Sequence, residues 1–373
     1  MGLGRAWRGA VMRINDERLN ADANNFTAVR LLLASSVIYT HCYFTTTGIR
    51  NADDLSNFLG ATISTYAVDG FFFLSGFLVY PSLLRLRSPV RFLTARFVRL
   101  WPGLALCVLL TVLVGAFFTS ASMGGYFGGD TARFILSNLS FTAASYRLTG
   151  VECGGEACVL NGSLWTLPWE VRCYAVLALL GALGLARPAI MKWAVLPLSL
   201  VGVLVWDVPQ VQELARSLAG DGAVYLIETF DRLWAAFAMG IAAYVFRERI
   251  RLSWWALGAL FVATLAAHAL GVGLHMRALL IGYAVLCLGL LTAQRRVFSA
   301  KWPDYSYGMY IYGYPVMVLI YAFWPTPSHM ALTAVTMAAT VPLAALSWHL
   351  VESPALEAYR RHRSARRLAA QQA

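Results

Sequence analysis

Apolar stretches long enough to cross a bilayer recur along almost the whole chain, and they constrain its fold more than any other feature. A membrane-crossing helix needs about 20 predominantly apolar residues. Of the 373 residues, 59% are hydrophobic and only 13% are charged, which is more apolar sequence than a soluble domain of this size needs. We predict an all-α polytopic membrane protein with about ten transmembrane helices, at residues 26–44, 62–82, 97–119, 165–186, 190–207, 223–246, 253–271, 277–292, 305–323 and 330–350.

The distribution of basic residues predicts how these helices are oriented. Most of the 30 lysines and arginines lie before the first span, after every second span and after the last one. Because cytoplasmic loops collect Lys and Arg, both termini are predicted to be cytoplasmic. The net charge of +11 is explained in this way, so no nucleic-acid partner is predicted. The expected organisation is a basic amino-terminal segment 1–25, a membrane domain 26–350 and a basic tail 351–373 that anchors at the membrane surface.

The longest water-exposed stretch is an outer loop, predicted at about residues 120–163. Its centre, RFILSNLSFTAASY, is apolar but too broken to cross the membrane, and is expected to lie along the outer interface or to cover a cavity. Cys153 and Cys158 lie in this loop, where an oxidising compartment would permit a disulfide. The other loops leave no room for a soluble catalytic domain, so any chemistry is expected inside the helix bundle.

Arg30 and His41 are the basic residues of the first span, which reads FTAVRLLLASSVIYTHCYF. Eleven residues are just over three helical turns, so both side chains share one face and lie about 16 Å apart along the axis. Charged groups inside a membrane usually face a partner or a water-filled cavity, because burying them in lipid is costly. The pair indicates either intramembrane chemistry or an interfacial Arg that reaches the surface with a His at the far interface.

The second and sixth spans also carry charges. Asp69 lies in the outer part of the second span and is interpreted either as a packing residue bonded to a neighbour or as a functional carboxylate. Gly76, in the same span, is expected to let a neighbouring backbone approach closely. Arg232 lies near the middle of the sixth span, and Glu228 at the i−4 position is a candidate for a self-neutralising pair.

Arg91, Arg96 and Arg99 form a basic group at the inner end of the third span. Arg96 and Arg99 are three residues apart and therefore share a helix face. The group is either ordinary positive-inside charge or a cationic mouth for a polyphosphate, because arginine forks match phosphate oxygens.

The fourth and ninth spans supply polar and aromatic groups. Glu170, near the predicted outer end of the fourth span, is expected either to pair with an Arg or to position a His as a base. The ninth span begins DYSYGMYIYGYPVMV, whose hydroxyls suit a hydroxyl-rich ligand, although aromatic belts at membrane interfaces produce the same composition. The sequence contains no P-loop, no metal-ligand spacing, no nucleophile elbow and no dinucleotide-binding fingerprint.

These segments, in this order, resemble the bacterial acyltransferase-3 family of integral-membrane O-acyltransferases, which includes O-antigen and Nod-factor acetylases. The resemblance covers roughly residues 22 to 358. It rests on Arg30-x10-His41, VDGFFFLSGFL, Arg96-x2-Arg99-x2-Pro102, NGSLWTLPWEVRCY, the Arg232 helix, DYSYGMYIYGYPV and the terminal VESP.

The resemblance implies a bacterial inner-membrane enzyme that moves an acyl group, usually acetyl, from cytoplasmic acetyl-CoA to a hydroxyl, often on a surface or lipid-linked glycan. The family's catalytic His and its neighbouring Arg map onto His41 and Arg30, and its outer-end Glu maps onto Glu170. Many members carry a second His in the ninth-span motif, where this chain has Gly313. His41 is therefore the only His at a position where the family has a catalytic one.

The candidate site residues fall into three groups. The expected catalytic residues are His41, Arg30, Glu170 and Asp69. The expected coenzyme A-binding residues are Arg91, Arg96, Arg99 and Arg232. The expected acceptor-binding residues are Trp165, Tyr174, Ser306, Tyr307 and Tyr310, and no metal is expected.

Two routes and one alternative function remain open at this point. His41 acts either as the general base, held by Asp69 or Glu170, or as a nucleophile that takes the acyl group and passes it on. Arg30 would stabilise the thioester oxygen or the phosphate end of the donor. The alternative function is a transporter or exporter of a glycan or small metabolite, with the intramembrane charges lining a translocation path.

Overall fold

The computed structural model is nearly all α-helical. It describes residues 12–19, 23–153, 156–270, 274–293, 302–324 and 326–372, so most of the predicted basic segment 1–25 lies outside the described residues. The helices are α1 (Phe26–Thr47), α2 (Ser56–Leu59), α3 (Ile63–Leu86), α4 (Pro89–Gly115), α5 (Met123–Tyr126), α6 (Gly129–Leu139), α7 (Leu167–Ala182), α8 (Pro188–Ile190), α9 (Leu196–Trp206), α10 (Pro209–Val245), α11 (Trp254–Ala269), α12 (Leu274–Leu286), α13 (Ser306–Phe323), α14 (His329–Ser347) and α15 (Ser353–Gln372). Short strands are β1 (Met12–Arg13), β2 (Glu152–Cys153), β3 (Glu156–Ala157) and β4 (Arg251–Leu252). Tighter 3₁₀ turns lie at Asp16–Leu19 and Gly162–Thr166, and wider π-helical turns at Met191–Val195, Cys287–Leu291 and Trp348–Glu352.

Each predicted span coincides with helix, and the membrane character is supported by the apolar length of several helices. Within the described part of the chain, four helices are long and apolar enough to cross a bilayer: Ile63–Leu86, Pro89–Gly115, Pro188–Trp206 and the continuous helix His329–Ala365. Polar groups such as Arg30 and His41 lower the mean hydropathy of helices like α1. The count of ten spans and the side on which the termini lie stay predictions.

Side chains at the helix starts explain several boundaries. The hydroxyl of Thr62 accepts a hydrogen bond from the Thr65 N–H at the start of α3, and that of Ser88 accepts one from the Arg91 N–H at the start of α4. Ser328 does the same for Ala331 at the start of α14. Such caps satisfy backbone donors that have no partner inside the helix.

The described residues fall in two compact units. Unit 1 comprises the described residues up to Leu33, Asn51–Arg87 and the described part of Leu179–Trp302. Unit 2 comprises Ala34–Arg50, Ser88–Ala178 and the described part of Pro303–Ala373. The prediction of one membrane domain over 26–350 stays a prediction.

In unit 1, α3 packs against α10 and α12, and two glycines bring the backbones of α3 and α10 together. A Cβ added at Gly76 would lie 2.0 Å from the Phe237 carbonyl oxygen, and one added at Gly240 would lie 2.0 Å from that of Phe73. Neither position has room for a methyl group. The predicted close backbone approach at Gly76 is therefore confirmed, and its partner on α10 is Gly240.

In unit 2, α4, α13 and α14 are the central helices, and the predicted outer loop folds against α4. The buried ring of Phe134 anchors α6 there, while the Trp101 indole donates to the Leu139 carbonyl at 3.2 Å. Strands β2 and β3 pair as a small antiparallel hairpin, and Cys153 and Cys158 form the predicted disulfide across it.

Candidate active site

An arginine at the amino-terminal part of α4 joins three of the sequence motifs in unit 2. The guanidinium of Arg99 donates to Glu352 at 3.0 Å and to Asp304 at 3.2 Å. It also lies against the rings of Tyr307 and Trp348, at 5.6 and 5.3 Å from their centroids. We call Arg99, Asp304 and Glu352 the Arg99 cluster. It brings together the double-arginine motif, the DYSYG motif and the VESP motif.

Hydroxyl groups hold the two carboxylates of this cluster in place. Ser306 donates to Asp304 at 2.5 Å, and Ser347 donates to Glu352 at 3.0 Å. The Glu352 side chain is only 1% exposed, so its negative charge depends on these partners. Ser306 was expected to bind the acceptor, but the structure shows it bonded to Asp304.

Arg96, one turn before Arg99, differs from it in its partners. The Nε atom of Arg96 is buried and has no hydrogen-bond partner within the described residues. Arg91 is exposed, and its backbone carbonyl accepts a hydrogen bond from Tyr359 in α15. Of the three predicted coenzyme A arginines that lie on α4, Arg96 is therefore the one with a buried donor that still needs an anionic partner.

His41 lies on α1 in unit 2 and packs against the DYSYGMYIYGYPV helix. Its imidazole meets the ring of Tyr314 edge-on, with the ring centroids 4.8 Å apart. Tyr314 in turn packs on Gly162, where an added Cβ would lie 2.6 Å from the ring. The glycine of the NGSLW motif thus leaves room for the tyrosine that contacts His41.

Gly313, at the position where the resembled family often has a second His, lies close to α1. A Cβ at position 313 would lie 2.6 Å from Cγ1 of Ile38, one turn before His41 on α1. A larger side chain at position 313 would therefore require the Ile38 side chain or the helices to shift. The glycine thus suits the close contact between α13 and α1 beside His41.

Helix α13 connects the level of the Arg99 cluster to the level of His41. Tyr307 donates to the Leu100 carbonyl on α4 at 2.8 Å, and the hydroxyls of Tyr310 and Thr166 are 2.7 Å apart. Seven residues separate Tyr307 from Tyr314, which is about 10 Å along a helix axis. Tyr307 and Tyr310, both expected to bind the acceptor, thus use their hydroxyls in contacts within the protein.

Glu170 lies in the first turn of α7 and accepts a very short hydrogen bond from Tyr174, one turn later. The Tyr174 ring lies 6.2 Å from Phe92, near the amino-terminal end of α4. Along the axis of α4, Glu170 therefore lies nearer to the amino-terminal end of that helix, which carries the arginines, than to its carboxyl-terminal end. Trp165 is half-buried in the 3₁₀ turn before α7.

Arg30 lies on the part of α1 that belongs to unit 1. It donates to the hydroxyl of Thr27, one turn earlier, at 3.4 Å. The same continuous helix carries His41, so the predicted shared helix is confirmed. A joint role for the two residues stays a prediction.

Asp69 and Arg232 meet in unit 1, together with a third residue. Arg232 donates to Asp69 Oδ1 from Nε at 3.0 Å and from Nη2 at 2.8 Å, and Arg277 donates to Asp69 Oδ2 at 3.0 Å. We call Asp69, Arg232 and Arg277 the Asp69 cluster. The carboxylate partner of Arg232 is Asp69, and the residue at i−4, Glu228, is exposed. That Asp69 or Glu170 holds His41 as a base stays a prediction.

The structure also identifies residues that the sequence pattern did not single out. Asp304, Tyr314 and Glu352 were parts of motifs without an assigned role, and Arg277 was only the first residue of a predicted span. Their partners lie far away in sequence, so spacing carried no signal for them. The one available signal was the charge of Asp304 and Glu352 inside otherwise apolar motifs. No group of three metal-ligating side chains occurs among the described residues.

The chain is similar over most of its length to one protein family and to two characterised relatives. A family model described as an acyltransferase domain matches residues 24–349. The chain is 26% identical to an O-acetyl transferase of Shigella phage Sf6 over 346 residues, which is 88% of this chain and 95% of that protein. It is also 26% identical to nodulation protein 10 of Rhizobium leguminosarum bv. viciae over 379 residues, which covers 92% of this chain and 96% of that protein. No solved structure matches the chain significantly.

Proposed function

Since the chain belongs to the acyltransferase family whose model spans residues 24–349, we propose that it moves an acetyl group from acetyl-CoA to a carbohydrate hydroxyl. Acyltransferase activity itself follows from the family and from the similarity to an O-acetyl transferase. The donor and the acceptor are the parts proposed here. The comparisons do not favour the transporter alternative.

The observation that carries the proposal is the short path along α13 from the arginines to His41. At one end the Arg99 cluster lies against Tyr307, and at the other end Tyr314 contacts His41. The roughly 10 Å between these levels is shorter than the flexible arm that separates the phosphates of coenzyme A from its thioester. A donor bound by its phosphates near α4 would therefore reach the imidazole with its acyl group.

Arg96 is the residue that best fits the donor phosphates. Its buried Nε lacks a partner within the described residues, while both carboxylate contacts of Arg99 are already made. A phosphate oxygen would satisfy that donor and supply the missing negative charge. Arg99 then acts as a positioning residue that keeps α4, α13 and the VESP turn together, and exposed Arg91 adds to the positive field.

We infer that His41 is the general base of the transfer. The imidazole removes the proton from the acceptor hydroxyl as its oxygen attacks the thioester carbonyl. The carbon–sulfur bond then breaks, and the proton passes to the departing thiolate, which leaves as free coenzyme A. The edge-on contact with Tyr314 holds the imidazole ring in position. Arg30, which precedes His41 on the same helix, is proposed to stabilise the donor.

We further propose that the acceptor is a surface or lipid-linked glycan and that the protein spans a bacterial inner membrane ten times. The O-acetyl transferase of the phage supports a hydroxyl-bearing acceptor. Apolar helices and the alternation of basic loops support the topology with both termini in the cytoplasm. Half-buried Trp165 is proposed to stack on a sugar ring of the acceptor.

Membranes containing the protein, incubated with radiolabelled acetyl-CoA, test the proposal. We expect label in a glycan or lipid-linked product, and a loss of about 10²-fold or more in the His41→Ala variant because general-base catalysis contributes at least that much. The Arg96→Gln variant should raise the KM for acetyl-CoA about 10-fold, which is the loss of one charged hydrogen bond.

The matched control is His362→Ala, which removes an exposed imidazole from α15 and should leave the rate unchanged. Full activity of the His41→Ala variant contradicts the proposal. Rapid quenching that traps an acetyl-histidine at position 41 replaces the general-base step by a two-step transfer. Uptake of a sugar without covalent label supports the transporter instead.

A further inference from the structure

The Asp69 cluster has more positive than negative charge. Two guanidinium groups share one carboxylate, and the Asp69 side chain is only 1% exposed. Asp69 lies in the second turn of α3 and Arg277 in the first turn of α12, so the cluster lies near the start of both helices. With two guanidinium groups and one carboxylate, the cluster has a net charge of +1.

The hydrogen bonds of the cluster leave several donors unused. Arg232 uses Nε and Nη2 on Asp69, with a longer contact of 3.3 Å from Nη2 to the Thr65 carbonyl. Arg277 uses only Nε. Within the described residues, Nη1 of Arg232 and both terminal nitrogens of Arg277 have no hydrogen-bond partner. The two arginine side chains are 28% and 12% exposed, so a small ligand can reach them.

Asp69 fixes the orientation of both forks. Its Oδ1 accepts two hydrogen bonds from Arg232 and its Oδ2 accepts one from Arg277, so each guanidinium plane is held against a buried carboxylate. Holding both arginines in this way costs energy, because like charges repel and burial strengthens that repulsion. An anion that binds the remaining donors would offset this cost.

We propose that Arg232 and Arg277, oriented by Asp69, form a binding site for a phosphate ester in unit 1. Arginine forks match phosphate oxygens, and two of them can bind one phosphate from two sides. The same chemistry is offered by a soluble phosphate ester and by the head group of an anionic lipid. The proposal does not depend on acyl transfer at His41, because binding is measured without turnover.

The experiment measures the thermal unfolding of the full-length protein, purified in detergent, in the presence of inorganic pyrophosphate at constant ionic strength. We expect saturating pyrophosphate to raise the Tm by about 5 °C. The Arg277→Gln variant should need at least about 10-fold more pyrophosphate for the same shift, because it loses the fork and the excess charge. Coenzyme A compared with dephospho-coenzyme A, and phosphatidylglycerol compared with phosphatidylcholine vesicles, distinguish the two sources.

The control variant is Arg216→Gln, which removes an exposed arginine from the same helix as Arg232 and should bind pyrophosphate as the original chain does. If Arg277→Gln does not fold, Arg277→Lys keeps the charge but not the fork and should show a smaller loss. Equal pyrophosphate midpoints for the original chain and the Arg277 variants overturn the proposal. So does a stabilisation that disappears in Arg96→Gln but persists in Arg277→Gln.

Discussion

The two units each bury a carboxylate against arginine, but with opposite stoichiometry. In the Arg99 cluster one arginine meets two carboxylates, Asp304 and Glu352, which serine hydroxyls also bind. In the Asp69 cluster one carboxylate meets two arginines. The first cluster has more carboxylates than arginines, whereas the second has more arginines than carboxylates. The ratio of acids to bases thus separates a structural junction from a candidate ligand site.

The difference also shows what each cluster joins. The Arg99 cluster links three segments whose partners are 205 and 253 residues apart in the chain. Buried ion pairs of this kind add little net stability over an apolar replacement, but losing one partner is costly because the other charge is left buried. Removing single charges from the two clusters is therefore a direct way to compare them.

The largest effect is expected from Asp69→Asn, because this change leaves two arginines side by side without their shared carboxylate. We expect a loss of about 3 to 5 kcal/mol in the free energy of unfolding. Thermal unfolding of the detergent-purified protein measures it. The matched control, Asp221→Asn, removes an exposed partner of Arg216 and should change stability by less than about 1 kcal/mol.

A double substitution sharpens that result. Replacing Arg277 by Gln in the Asp69→Asn variant removes one of the two repelling charges, so part of the lost stability should return. Additive losses in the two single variants and the double variant would show that the arginines do not interact through Asp69.

A smaller effect is expected from Glu352→Gln in the Arg99 cluster. Arg99 keeps Asp304 as a counter-ion, so the loss should be about 2 kcal/mol, the value of one charged hydrogen bond. The control is Glu357→Gln, which breaks an exposed pair with Arg361 on α15. A larger loss than for Asp69→Asn would mean that the number of counter-ions does not decide the cost.

The smallest effect is expected from Arg99→Lys. A lysine keeps the positive charge between the two carboxylates but lacks the fork that bonds both at once. The loss should be about 1 kcal/mol, equal to one hydrogen bond. The KM for acetyl-CoA should stay close to that of the original chain if Arg99 positions α4 and α13, and should rise clearly if Arg99 itself binds the donor.

The helical class and the positions of the helices were predictable from local sequence. Apolar length marked each span, and Gly76 indicated a close helix crossing because only a residue without a side chain permits it. The disulfide between Cys153 and Cys158 was equally local, since five positions separate the two cysteines. These features depend on neighbours in the chain, so the chain order reveals them.

The partners of the charged residues were much less predictable. Glu228, at i−4, was the local candidate to pair with Arg232, yet the carboxylate that binds it is Asp69, 163 residues away. Arg99 was assigned to coenzyme A, and its two carboxylate partners come from the ninth-span and VESP motifs. A charged side chain in an apolar sequence indicates that a partner is needed, but not which one.

The sequence by itself determined that this chain is helical and apolar, that His41 and Arg30 share one helix, and that its motifs follow the order of an acyltransferase family. Those properties follow from residue type and spacing along a helix. The tertiary structure decided which arginine is neutralised, which retains free donors and which aromatic ring holds His41. Packing between distant parts of the chain sets these outcomes. Beside His41, for example, Gly162 leaves room for Tyr314 and Gly313 leaves room for Ile38.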